Sequence, residues 1–391
     1  MARSLRGPLL WIHRWIGLTL GLFFAVVGLS GSLLYFQPQF FRWAHGDLIP
    51  AGLSQETGSI DRWVAESHAA VPDLMGPIAI WLPHVDHNVS DAGMVVYAGR
   101  PPGGLGHMGI VGVLVAPATG NVLGVVDIDR SPAYAPIFLH RDLWAGAAGR
   151  VVSGIMAIAV LVMLSVGLYL WWPPLPRIVR KLSIRPWRRT LTRATPMHEW
   201  IGIWTLAILL VLTATGLALV QPTWVDPTLT FVAGPDVDAP VPGACTGPIG
   251  YQAAVDRAQT LAPGGRLREI VPADETMKIW QIAFAVPGKP SPLDDTHVHA
   301  DLACGTVAVE STASTRTRRH ALEIWLSGLH DGTAFGKTGE ILVSIVGLAP
   351  VVLAWSGVLM WWRKRRVRVR KRADVRVPAP TVDGEPTAEI S

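Results

Sequence analysis

The sequence predicts a membrane protein: an all-α four-helix transmembrane bundle carrying two extracytoplasmic α+β modules, built as a tandem internal repeat. Three observations point there. Half of the 391 residues are hydrophobic and only 16% are charged, a balance far from that of ordinary soluble domains. Four runs, 15–36, 151–172, 200–220 and 341–362, hold no charge, and each is long enough to cross about 30 Å of hydrocarbon as a helix. Finally, His13-Arg14-Trp15-Ile16-Gly17 at the head of the first run returns as His198-Glu199-Trp200-Ile201-Gly202 at the head of the third, and both runs close on Gln-Pro, Gln37-Pro38 and Gln221-Pro222. His140 and His330 repeat the rule: each stands 31 residues before a tryptophan pair, Trp171-Trp172 and Trp361-Trp362. Fixed-period self-similarity of this kind signals duplication.

Taken in order, residues 1–36 form the N-terminus and first transmembrane helix, whose apolar stretch is too long for a cleaved signal peptide. Residues 37–139 form the first outer module. Its helix spans 59–70, with Ser59 as cap and Asp61 in the first turn, and strands follow at 78–82, 94–97, 110–116 and 122–127, separated by Gly, Pro and Asn. Residues 140–172 are the second transmembrane helix with an outer extension. The loop 173–197 carries Arg177, Arg180, Lys181, Arg185, Arg188, Arg189 and Arg193 with no acid. Residues 198–220 are the third transmembrane helix, and 221–329 the second outer module. There, Tyr251, Ala254, Val255, Ala258 and Leu261 share one helical face, and strands follow at 267–271, 279–286, 296–302 and 306–310. Both modules carry the same turn, Ala118-Thr119-Gly120-Asn121-Val122 and Ala303-Cys304-Gly305-Thr306-Val307, in which glycine supplies a positive φ. Residues 330–362 are the fourth transmembrane helix with an outer extension, and 363–391 a basic, then disordered, tail.

Orientation follows from the basic residues. The middle loop and the tail, which opens Arg363-Lys364-Arg365-Arg366, are strongly basic, whereas 37–139 holds four basic residues and nine acids. Both termini and the middle loop are therefore expected in the cytoplasm, with the modules outside. Arginine clusters beside membrane spans are topology signals rather than a nucleic-acid surface. Trp11, Trp15, Trp171, Trp172, Trp200, Trp204, Trp361 and Trp362 form an interfacial belt. The only two cysteines, Cys245 and Cys304, share the second outer loop, where an oxidising compartment allows a disulfide but the sequence leaves the bond open.

Four histidines in matched registers form the strongest functional signal. Ionisable groups at membrane depth are costly and mark function, although a single interfacial histidine is usually a bland one. Imidazole is the usual axial ligand of haem iron, and bundle interiors are where facing histidines hold one. By depth, His13 would meet His198 and His140 would meet His330, giving two low-spin centres, one near each membrane face. Gly17, Gly21, Gly28, Gly31, Gly202 and Gly216 would leave room for porphyrin, or serve close helix packing. A straight helix would put His140 roughly 48 Å from Trp172, more than the hydrocarbon thickness. Either Gly146 and Gly149 fold the histidine back, with Gly332, Gly336 and Gly339 doing so for His330, or the outer site lies at the membrane surface.

The motifs His13-Arg14-Trp15-Ile16-Gly17, Ser30-Gly31-Ser32-Leu33-Leu34, Leu139-His140-Arg141-Asp142-Leu143, the Thr119-Gly120 turn and Gly167-Leu168-Tyr169-Leu170-Trp171-Trp172-Pro173 resemble the PepSY-associated transmembrane family over residues 5 to about 365. That family includes bacterial inner-membrane ferric-siderophore reductases and other iron-regulated membrane proteins. The resemblance implies PepSY modules outside, two haem b groups in the bundle, and ligand roles for His13, His198, His140 and His330. It further implies a ferric siderophore or other ferric chelate as acceptor. The chain departs from the pattern at Leu329-His330-Asp331-Gly332 and at Cys304, which takes the place of Thr in the turn.

Asp295, His297, His299 and Asp301 alternate and would project from one face of a strand, as a metal or ferric-ligand contact or as an ordinary solvated face. Pro83-His84-Val85-Asp86-His87 reads the same way. No P-loop, dinucleotide fingerprint, zincin helix, CxxC pair or nucleophile elbow is present, nor a flavin domain, so electrons would come from a separate cytoplasmic or quinol donor. The alternative is a non-enzymatic membrane anchor whose modules bind or regulate an envelope partner. A transporter is disfavoured by the lack of charge in the spans.

Overall fold

A computed structural model describes residues 2–54, 56–83, 90–98, 109–182, 193–235, 244–273, 278–287, 294–312 and 315–374. The chain starts with α1 (Ala2–Thr19) and α2 (Gly21–Leu34), which meet at a bend of 57°. The first run, expected as one helix, is thus two. The bend falls where the Thr19 hydroxyl donates back to Trp15 O at 2.8 Å, between Gly17 and Gly21, and such back-bonding loosens the helical ladder.

Helix α3 (Gln37–His45) opens on Pro38, whose missing N–H costs nothing in a first turn. Helix α4 (Ile60–Ala70) is capped by Ser59, which accepts the Arg62 N–H. Then come β1 (Pro77–Trp81), β2 (Gly93–Ala98), β3 (Ile110–Val115), β4 (Val122–Asp127), α5 (Ala135–Asp142), α6 (Gly146–Trp171) and the short α7 (Ile178–Leu182). The second half consists of α8 (Ala194–Val220), α9 (Pro222–Ala233), α10 (Tyr251–Leu261), β5 (Arg266–Pro272), β6 (Ile279–Ala285), β7 (Thr296–Asp301), β8 (Thr306–Ser311), α11 (Arg318–Asp331), α12 (Gly336–Val346) and α13 (Ala349–Asp374).

The strands of the two expected modules join in one sheet. All eight strands form one antiparallel sheet in the order β4-β3-β2-β1-β5-β6-β7-β8, fused at its centre through Ile80↔Ile270 and Trp81↔Glu269. Apart, each four-stranded half would present a row of unpaired backbone groups on β1 or β5, and pairing the two edges removes that liability. The helices above reinforce the join. Ile60 N–H donates to Gln252 Oε1 at 2.9 Å, and Gln252 N–H donates to Asp61 Oδ1 at 3.3 Å.

Under α4 and α10, both halves contribute to one apolar core, with Ile60, Trp63, Ile80, Val95 and Val113 from the first and Ala258, Ile270, Ile282, Phe284 and Val298 from the second. Side chains of this size buried completely each stabilise by about 1.5–3 kcal/mol. Trp63 also donates its indole N–H to Pro117 O at 3.0 Å, and Gly93 beneath it is obligatory, since a Cβ there would stand 2.3 Å from the indole ring.

Three stretches, Gly146–Trp171, Ala194–Val220 and Thr333–Val367, are long and apolar enough to cross a membrane, and the bent α1–α2 pair makes a fourth. Only 22% of the most apolar window of each of the three is buried. Leu22, Ile155, Val162, Trp204, Ile345 and Trp355 stand exposed on the outside, a surface that suits lipid and not water. Inside, Val160, Leu164, Leu206, Leu209, Val346 and Ala349 pack together. Helices α2 and α13 approach closely: a Cβ on Gly28 would meet Pro350 Cγ at 2.9 Å.

Candidate functional site

The bundle brings the four histidines together in the expected pairs. His13 on α1 and His198 on α8 have ring centroids 6.3 Å apart; His140 on α5 and His330 on α11 have theirs 5.8 Å apart. Two imidazoles that bind one metal from opposite sides, through bonds of about 2 Å, place their centroids roughly 6 Å apart.

Each ring is held in the same way. Nδ1 of His13 donates to Met163 O at 3.0 Å, that of His140 to Val27 O at 2.8 Å, that of His198 to Leu353 O at 3.2 Å, and that of His330 to Leu212 O at 3.0 Å. Four residues beyond each of these carbonyls stands a glycine under the ring: Gly167, Gly31, Gly357 and Gly216. A Cβ on them would lie 3.0, 2.7, 3.9 and 2.8 Å from the imidazole Cε1. A helical carbonyl already accepts from the N–H four residues on, and a ring from another helix reaches its second lone pair most easily where that residue has no side chain. Serine or threonine precedes the glycine at three of the sites, and Ser356 Oγ and Thr215 Oγ1 approach Nδ1 of His198 and His330 at 2.9 and 3.0 Å.

A carbonyl only accepts, so Nδ1 carries the proton and Nε2 keeps its lone pair. Among the described residues, none of the four Nε2 atoms makes a hydrogen bond. This is the ligating tautomer of histidine, with its other nitrogen fixed by the backbone.

Gly31 and Gly216, expected to make room for porphyrin, lie against the rings of His140 and His330 and at the wall of the cavity around them. Gly28 serves helix packing, and Gly17, Gly21 and Gly202 face Met163, Ala354 and Leu353. Gly167 and Gly357 were missed as receptors, although both lie in transmembrane runs and Gly357 follows Ser356.

The straight-helix difficulty is resolved by breaks. Leu143, Trp144 and Gly146 have positive φ values of 51°, 61° and 56°, and Gly332 and Gly336 have 87° and 60°. In each half the chain turns back sharply: a Cβ on Gly149 would stand 1.6 Å from Asp142 O, and one on Gly339 2.1 Å from Gly332 O. These glycines occupy equal offsets from His140 and His330. The two pairs lie at opposite ends of the bundle. Helix α8 carries His198 at one end and Gly216, the seat of His330, about 18 residues or roughly 27 Å further along.

A cavity of about 1050 Å³ surrounds the His140/His330 pair, lined by Gly31, Met156, Val160, Leu209, Gly216 and the two imidazoles, with Arg42, Arg141 and Lys337 also at its wall. Burial lowers the pKa of both His140 and His330. The residues present therefore fit a haem: a mostly apolar cavity between helices and two neutral imidazoles.

In the second half of the sheet, the four alternating residues do not act together. Asp295 pairs with Arg268 at 3.1 Å, and Asp301 accepts the Cys304 N–H at 2.8 Å. His297 and His299 instead meet Glu310 of β8. The other weak cluster, His84 to His87, lies outside the described residues. Cys245 and Cys304 form a disulfide.

No curated protein matches the chain. The family model for the PepSY-associated TM region matches residues 10–364, and with apolar helices in membrane-spanning number beneath an antiparallel sheet, the chain belongs to that family of multi-pass membrane proteins.

Proposed function

We propose that this protein is a haem-containing membrane oxidoreductase, which passes electrons from the cytoplasmic side to a ferric chelate, such as a siderophore, held outside by the sheet domain. The observation that carries this reading is the fourfold repeat of one device: an imidazole whose Nδ1 is fixed by a helical carbonyl over a glycine, with Nε2 left to bind. His13 with His198, and His140 with His330, would each hold one haem b, which when bound supplies one-electron redox chemistry at its iron. The protein's residues fix the rings, exclude water and keep the imidazoles neutral. Arg42, at the wall of the cavity near the sheet, would neutralise a carboxylate of the group bound there.

The basic loop after α6 and the basic end of α13 support a cytoplasmic place for the His13/His198 end of the bundle and for both termini. A bacterial inner membrane and a separate cytoplasmic or quinol donor complete the scheme. Reduction of Fe(III) to Fe(II) takes one electron and weakens an oxygen-rich chelator's hold on the metal, so iron is released without any acid–base group.

The test is an absorption spectrum of the purified protein with haem quantitation. Two low-spin haems per chain are expected, falling to one in His13→Ala/His198→Ala and to one in His140→Ala/His330→Ala, with reduction assays on several ferric chelates identifying the acceptor. A folded but colourless protein would overturn the reading in favour of a membrane anchor for an envelope partner.

A further inference from the structure

The two halves of the sheet have matched ladders, which makes the first half a control for the second. In the central core, Ile80, Val95 and Val113 occupy the places of Ile270, Ile282 and Val298. On the opposite face, one step along, the cross-strand pair Met94↔Leu114 corresponds to Gln281↔His299, and Val96↔Gly112 to Ala283↔His297. In the first half this face is a dry core in which Met94, Val96 and Leu114 pack with Phe41 and Phe138. The fold thus needs only hydrocarbon here. Polar groups at buried positions cost free energy unless paired, and the second half nevertheless places two imidazoles and an amide there.

Two further departures complete the cluster. The bulge sits elsewhere: β3–β4 shifts register between Leu114 and Val115, whereas β7–β8 shifts between His297 and Val298, so that Glu310 has no partner across the ladder; bulges of this kind re-aim a side chain. Helix α11 has 14 residues against 8 in α5, and its extra first turn, capped by Thr317, delivers His320.

The resulting distances are short. Glu310 Oε2 lies 3.8 Å from His297 Nδ1 and 3.1 Å from His299 Nε2, and Glu310 Oε1 lies 3.5 Å from His320 Nδ1. Gln281 Nε2 donates to Glu310 Oε2 at 2.8 Å. One ligand atom from each of His297, Glu310 and His320 falls within 4.8 Å of the others.

We propose that His297, Glu310 and His320 form a binding site for a divalent first-row transition-metal ion, with His299 and Gln281 orienting the carboxylate from behind. Two imidazoles and one carboxylate are the donor set of open zinc and non-haem iron sites and ill suited to magnesium or calcium. Bonds of about 2.0–2.2 Å in a tetrahedral arrangement set donors roughly 3.3–3.6 Å apart, so the observed spacing needs only small side-chain rotations. The protonation states agree. Burial lowers His297 to about 4. Burial alone would raise Glu310, but hydrogen bonds from His299 and Gln281 hold it at about 2. Near neutral pH the site therefore offers a neutral imidazole and an ionised carboxylate. The site requires no haem and stands independently of the function proposed above. Helix α11 carries His320 near its start and His330 near its end, so an ion here would sit about 15 Å along the helix from the second histidine pair.

The experiment is equilibrium dialysis of the untagged, full-length protein against zinc chloride after stripping with a chelator, with bound zinc measured by atomic emission. One zinc per chain at micromolar free zinc is expected, with affinity reduced at least tenfold in Glu310→Gln and in His320→Ala while haem content and the circular dichroism spectrum stay as in the parent. Gln281→Ala, which removes only a supporting group, should cost roughly tenfold or less. Absence of bound zinc, or the same zinc affinity in the parent, Glu310→Gln and His320→Ala, would overturn the proposal.

Discussion

The two halves of the sheet share strand order, the ladders of their three inner strands and the central core, yet one half fills its second face with Met94, Val96 and Leu114 and the other with Gln281, His297 and His299. The match between the halves separates what both share from what is particular to one. Apolar packing suffices for the architecture, and the polar cluster is an addition that the helix extension and the bulge of the second half serve. The histidine pairs teach the converse. There both halves keep the same carbonyl, glycine and imidazole, so the device itself has been retained.

The largest expected effect tests that shared device. Gly31→Leu or Gly216→Leu drives a side chain into His140 or His330 and should remove one of two haems per chain, read by haem quantitation. The next test concerns a bond confined to the second half. Cys245→Ser/Cys304→Ser opens a 59-residue separation and should lower stability by about 2–4 kcal/mol, seen as an earlier thermal unfolding transition.

Acid should distinguish the halves as well. His297 titrates near 4 in the folded chain against about 6.5 unfolded. The unfolded state therefore binds protons first, and stability is lost as pH falls from about 6.5 to 4, by up to roughly 3 kcal/mol. Glu310, held at about 2, adds a loss from about pH 4.5 downward. Metal-free protein should show this acid sensitivity in chemical unfolding at several pH values, and His297→Asn should flatten the upper part of the slope.

A smaller effect of opposite sign is expected from Gln281→Met/His299→Leu/Glu310→Gln, which makes the second half resemble the first. Its thermal midpoint should rise by about 2–4 °C, as for a gain of roughly 1 kcal/mol, while zinc binding disappears. A fall in the midpoint would mean that the cluster serves packing. Last, Gly357→Ala, whose new Cβ would stand 3.9 Å from His198, should leave haem content unchanged, in contrast to Gly31→Ala at 2.7 Å.

Much of this was legible in the chain. Alternating apolar strands bounded by glycine and proline marked all eight strands to within a residue or two. Ser59 marked α4, and the apolar spacing of Tyr251 to Leu261 gave the bounds of α10. These are local signals, set by the period of a helix or a strand and by which residues tolerate a turn. The matched registers of His13 with His198 and His140 with His330 fixed the pairs, because duplicated helices place equivalent positions face to face.

Tertiary structure decided the rest. The join of β1 to β5 unites residues near 80 and 270, and edge pairing at that separation leaves no local mark. The break after α5 passes through Leu143 and Trp144, whose left-handed backbone no local preference favours and which the contact of Asp142 O with Gly149 enforces. The seats of the four histidines pair a carbonyl and a glycine on one helix with an imidazole on another. The cluster at Glu310 needs a bulge and an added helical turn to meet at one point. What the sequence by itself determined was therefore the repeat, the spans and the strands, which depend on neighbours along the chain. What only the fold decided was which distant backbone atoms meet, because that depends on close approach in three dimensions.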